Sequence, residues 1–211
     1  MRTAPVRRLR PPLARAACWL AFAAAILILL AVTRGVRPDL AQRLQEPVFV
    51  IGIAASLATG ILAAVAAFVV SLPDRSRGWS LLPLPPLAIW ISTIGYGCLI
   101  AWVGISANGL PAGEVARCLV TLVLTSGPLS LAMCVMLRHA VPLRALPVAL
   151  VGGLAVAAIT ASALSILHPL EATITILLWN FGTAALFLGL AALLGRGMSS
   201  RLPQQPAPQG R

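Results

Sequence analysis

Six apolar stretches, each about twenty residues or longer and free of charge in its deep interior, constrain this chain more than anything else in it. They lie near Leu13–Val32, Pro47–Ser71, Leu84–Val103, Ala116–Leu137, Leu146–Leu167 and Thr173–Leu194. A helix rises about 1.5 Å per residue, so each stretch can cross a hydrocarbon core ~30 Å thick. Lipid offers no partner for a free peptide group, and no barrel-type alternation is visible. The spans are therefore expected to be helices. The expected fold class is all-α: a polytopic membrane protein built as a bundle of six transmembrane helices. Residues 1–12 would be a cytoplasmic basic tail and 13–194 the transmembrane domain. Residues 195–211 are polar and proline-rich, and a disordered cytoplasmic tail is expected there.

Composition agrees with this reading. Charged residues make up 10% of the chain and hydrophobic ones 59%, against about 25% charged in a soluble domain. In a soluble chain the net charge of +11 would suggest a nucleic-acid partner. Here the arginines sit beside spans, so direct nucleic-acid binding is not expected. The start superficially resembles a secretory signal, with basic residues before an apolar run. That run is too long, and Thr33-Arg34-Gly35 offers no small-residue cleavage site, so it reads as a retained span.

Charge also orients the bundle. With the N-terminus inside, twelve arginines fall on the inner side and four on the outer, and four of the five acids (Asp39, Glu46, Glu114 and Glu171) fall outside. The positive-inside rule then places both termini in the cytoplasm. Arg7, Arg8 and Arg10 of the tail would face a cytoplasmic partner and anionic lipid. The absence of Asp, Glu, Lys and Arg from the span interiors speaks against a proton or ion pathway. A small six-helix transporter of an uncharged solute is the alternative, and a bundle with a purely structural role is a third reading.

Packing devices are visible as well. Gly153, Ala157 and Ala161 recur every four residues in the fifth span, as do Ala185 and Gly189 in the sixth, a spacing that lets helix backbones approach closely. Pro128 should kink the fourth span. Asn180, Thr160 and Ser162 are candidates for interhelical hydrogen bonds. Trp19, Trp79 and Trp102 are expected at the membrane interfaces.

Little in the chain carries chemistry. Cys18, Cys98, Cys118 and Cys134 form no CxxC, and no histidines accompany them, so no metal site is expected. His168 and Glu171 flank Pro169 and read as a polar turn rather than a ligand pair. His139 complements a helix C-terminus. Cys98 and Cys118 would face the oxidising side, as a thiol sensor or disulfide, or as small buried residues. Cys18 and Cys134 lie in the inner halves of their spans. No serine–histidine pair, phosphate loop or paired carboxylate occurs, so neither an enzyme nor a cofactor is expected.

The run Ala4-Pro5-Val6-Arg7-Arg8-Leu9-Arg10-Pro11-Pro12 before a first span resembles the NrsF family of membrane anti-sigma factors. Gly35-Val36-Arg37-Pro38-Asp39-Leu40 and Ser71-Leu72-Pro73-Asp74-Arg75-Ser76-Arg77 with Trp79 continue the likeness. So do Gly95-Tyr96-Gly97-Cys98, Cys118, Leu167-His168 and Trp179. The resemblance implies a multi-pass inner-membrane protein that sequesters an ECF-type sigma factor at the cytoplasmic face. It also implies release of that factor when the periplasmic side senses stress. Cys98, Cys118 and His168 are then the candidate sensing residues. The sequence departs from the family pattern twice. An acid-containing segment usually precedes the Pro-Val-Arg run, whereas only Met1-Arg2-Thr3 precedes Ala4, so either the start is placed too late or the sigma-binding segment is lost and sigma binding impaired. The family tends to carry a cysteine directly after the histidine matching His168, and Pro169 stands there, which leaves Cys118 without that partner unless Cys98 serves.

Overall fold

A computed structural model describes the backbone of residues 11–72, 76–103, 112–137 and 141–167, with side chains except at 77, 97–103, 112–119 and 141–146. Within these residues the chain is helical and has no strand. The elements are α1 (Pro12–Arg34), a single turn α2 (Leu40–Arg43), α3 (Pro47–Val70), a 3-10 turn (Arg77–Leu81), α4 (Leu84–Val103), α5 (Ala112–Leu137) and α6 (Val141–Leu167). The five long helices match the first five expected spans, most to within a few residues at each end. The expected sixth, Thr173–Leu194, lies outside the described residues. Over those residues, four helices are long and apolar enough to cross a membrane: α1, α3, α5 from Val120 and α6 from Pro147.

Local chemistry explains the helix limits. α1 and α3 each begin with a proline in the first turn, where the missing N–H costs no hydrogen bond. α1 ends at Gly35, whose φ of +78° suits a residue without Cβ. Its N–H donates to the carbonyl of Ala31 at 3.1 Å. Hydroxyls inside the helices donate to carbonyls a turn back, Thr59 to Ala55 and Thr125 to Thr121, both at 2.7 Å. Such bonds satisfy a hydroxyl where no water is present.

The long helices alternate in direction. The N-terminal end of α1 meets the C-terminal ends of α3 and α5, and the loop after α1 meets the C-terminal end of α6. α1, α3, α6 and α5 form a ring of four, with α4 against the far side of α3. The seam between α3 and α6 is the most extensive contact. At its centre Gly60 lies against Ile159, so closely that a Cβ on Gly60 would stand 2.8 Å from the Ile159 side chain. One turn away the hydroxyls of Ser56 and Ser162 are 2.7 Å apart.

Small residues line the buried face of α3, and larger ones such as Trp19, Phe68 and Leu129 fill the core around them. Ala63, Ala64, Ala66 and Ala67 are fully buried in α3 beside Phe68, while Val32, Leu131, Ile28 and Ile91 stand exposed. An outer surface this rich in bulky apolar side chains is what lipid permits and water does not.

Three sequence expectations need correction. Trp19 is fully buried in the bundle rather than placed at an interface. The depth of a side chain in a helix says nothing about which way it points. The close helix approach falls on Gly60 rather than on the Gly153 stripe; Gly153 is exposed and a Cβ there would meet open space. Thr160 is buried, but its hydroxyl has no hydrogen-bond partner among the described residues, whereas Ser162 makes its interhelical bond. Asn180 lies outside the described residues, as does the side chain of Trp102.

Candidate functional site

Two arginines, one at each end of the bundle, organise its polar contacts. Arg37 lies in the connection between α1 and α2 and is 6% exposed. Its guanidinium forks onto Asp39, Nε to Oδ1 and Nη2 to Oδ2, both at 2.7 Å. Nη1 donates to the carbonyl of Ser165 at 3.3 Å, and the backbone N–H of Arg37 donates to the carbonyl of Ile166 at 3.2 Å. The guanidinium carbon stands 5.6 Å from the ring centre of Phe49 in α3. One residue thus gathers the ends of α1, α3 and α6.

The planar fork of arginine suits this place. It matches a carboxylate bidentately while its remaining donors reach carbonyls left free at a helix C-terminus. The hydrogen-bonded Arg37 guanidinium holds the Asp39 carboxyl down at about 2, with Arg43 adding to the pull. Arg43 also donates to Glu46 at 3.0 Å across a more exposed turn. Both carboxylates are thereby engaged by arginine, which closes this cluster to a metal cation. Among the described residues no group of three acids, histidines or cysteines is placed to hold a metal.

Arg15 does the corresponding work at the other end. Its Nη2 donates to the carbonyl of Met136 near the end of α5, and its guanidinium lies 5.2 Å from the ring centre of Phe68 in α3. One turn further along α1, the indole Nε1 of Trp19 donates to the carbonyl of Leu129 at 3.2 Å. α1 is therefore gripped at both ends by side chains that bond to carbonyls of neighbouring helices.

An open groove of about 400 Å³ lies between α3 and α4, lined among others by Val48, Ile51, Ile89, Ser92 and Tyr96. Its walls are mostly apolar, with the hydroxyls of Ser92, Thr93 and Tyr96 as the polar groups and no carboxylate, histidine or cysteine among the lining residues.

The sequence-derived site residues mostly lie beyond this geometry. Cys98 falls on α4 and Cys118 on α5, but their side chains are outside the described residues, as are Arg7, Arg8, Arg10 and His168 entirely. Cys18 and Cys134 are free thiols on exposed faces of α1 and α5. The two arginine clamps were missed at the level of sequence. The signal that could have found one of them is the Arg37-Pro38-Asp39 triplet, an arginine and a carboxylate two apart across a proline.

The model of the NrsF family, negative regulator of sigma F, matches residues 1–198 of the chain. No curated protein and no solved structure matches it.

Proposed function

The chain belongs to the NrsF family of negative regulators of sigma F, and from that premise we propose that it is a membrane-bound anti-sigma factor. The family match over nearly the whole chain carries this reading. The protein sequesters an ECF-type sigma factor at the cytoplasmic face of the inner membrane and releases it on periplasmic stress. It is a regulator rather than an enzyme, needs no cofactor and does not touch nucleic acid itself.

The proposed topology is six spans with both termini cytoplasmic. The twelve-to-four arginine bias supports it. Arg7, Arg8 and Arg10 then lie at the inner face beside the sigma factor and anionic headgroups. The Arg37 clamp, Cys98, Cys118 and His168 belong to the outer side. Cys118, next to Arg117, is the better placed for a reactive thiolate, because a nearby positive charge favours the ionised form.

The test is retention of an ECF-type sigma factor by the detergent-solubilised protein, paired with a sigma-dependent reporter in cells. Co-purification and a silent reporter are expected. A sigma factor that stays soluble, with a reporter indifferent to the protein, overturns the reading. Reporter fusions after Arg8 and at Arg211 check the topology, and a periplasmic signal from either overturns it.

A further inference from the structure

We infer that Arg37 couples the loop after α1 to the opposite end of the bundle: the clamp it forms with Asp39 and the last turn of α6 sets where α1 stands against α5. The inference rests on the reading above only in naming the Arg37 end outer and the Arg15 end inner.

The tether is short. Only Gly35 and Val36 separate the last residue of α1 from Arg37. Gly35 is bonded back to Ala31, and the next-but-one N–H is already bonded to Ile166. The end of α1 therefore cannot slide without breaking the bonds of Arg37 to Ser165 and Ile166. The coupling requires the clamp to have two states, engaged and opened. The Arg37 side chain is 4% exposed, and a charge so buried is held there by Asp39 and the Ser165 carbonyl, so losing either partner destabilises the engaged state. Sensing devices require bistable elements of this kind, because packed interfaces switch rather than deform continuously.

The rod that carries the displacement is α1 itself. After Pro12 it contains neither proline nor glycine through Arg34, so it has none of the usual kink sites. Its inner end is read out by two bonds that tolerate little slip. The Trp19 to Leu129 bond, at 3.2 Å, is lost on a translation of about 1–2 Å, the scale of helix shifts at packed interfaces. Arg15 leaves the Met136 carbonyl in the same movement. The inner end of α1 then stands at a different position against α3 and α5. Under the proposed function, the engaged clamp is the holding state and the opened clamp the releasing one.

The experiment uses the full chain in liposomes, with Cys98→Ser and Cys118→Ser leaving native Cys18 and Cys134 as spin-label sites. Both are exposed, one on α1 and one on α5, near the inner end. Electron paramagnetic resonance then measures the distance between them. Arg37→Gln and Asp39→Asn should each move or broaden that distribution by about 2 Å. Gln45→Ala, at an exposed position of the same connection, should leave it unchanged. If Arg37→Gln fails to fold, the near-isosteric Asp39→Asn decides alone. Distributions for the clamp variants identical to that of Gln45→Ala overturn the coupling. The readout needs no sigma factor, so wild-type protein that fails to capture one overturns the proposed function and leaves the coupling standing on its own result.

Discussion

Phe49 and Phe68 stand nineteen residues apart on α3, and each lies beneath a guanidinium, Arg37 at 5.6 Å and Arg15 at 5.2 Å from the ring centres. At 1.5 Å per residue the two rings are about 28 Å apart, close to the ~30 Å of a hydrocarbon core. The clamps thus bracket one membrane thickness.

Removing the buried indole contact should loosen α1 from α5. Trp19→Phe deletes the Nε1 donor to Leu129 and keeps most of the volume, so a loss of about 1 kcal/mol is expected. Trp19→Ala leaves a cavity as well and should cost about 3–5 kcal/mol. Unfolding by titration with a denaturing detergent measures both. A Trp19→Phe variant as stable as the wild type would show that the hydrogen bond contributes nothing.

Gly60→Ala should destabilise the α3–α6 seam by about 1–3 kcal/mol, because the new methyl would stand 2.8 Å from two carbons of buried Ile159. Ile159→Ala removes those carbons. The double variant should therefore cost less than the sum of the singles, and a double-mutant cycle reads that coupling. Strict additivity would mean that the helices separate without strain.

The Ser56–Ser162 bond is expected to be modest in spite of its burial. Each hydroxyl also contacts a carbonyl of its own helix, Ser56 at Ile53 and Ser162 at Ala158, so neither is orphaned when its partner is lost. A cycle of Ser56→Ala and Ser162→Ala should give a coupling of about 0.6 kcal/mol. A value several times larger would mean that the back-bonds break in the single variants.

The Arg37 clamp should be insensitive to pH across the physiological range. Asp39 is depressed to about 2 when folded, below its ordinary value. Its contribution is therefore fully present above a pH of about 4 and is lost as pH falls toward 2. Amide exchange at Arg37, corrected for the intrinsic rate, should stay protected from about pH 5 to 8, while Asp39→Asn should lose protection throughout. Opening of the wild-type clamp between pH 5 and 7 would contradict this assignment.

Arg37 shows why part of the site was hidden from sequence. As one of three arginines in a short loop it counts as a solvated charge, the same as Arg34 and Arg43. Only the arrival of the α6 C-terminus, some 130 positions away in the chain, supplies the carbonyls that bury it. Cys98 and Cys118 were placed on their spans from the apolar runs, and they fall on α4 and α5 as expected, with their side chains outside the described residues.

The sequence by itself determined where the helices run, because lipid allows a long apolar stretch little but a helix; α3 at Pro47–Val70 and α4 at Leu84–Val103 follow the apolar runs almost to the residue. It also determined the class of partner through its family. Only the tertiary structure decided which face of each helix is inside. In water the polar face would have marked the other side, but in these spans apolar residues lie all round, so periodicity carries almost no information. Burial of Trp19, the approach at Gly60 and the exposure of Gly153 were settled by how small and large side chains interlock across α3 and α6, a property of pairs of helices rather than of either one.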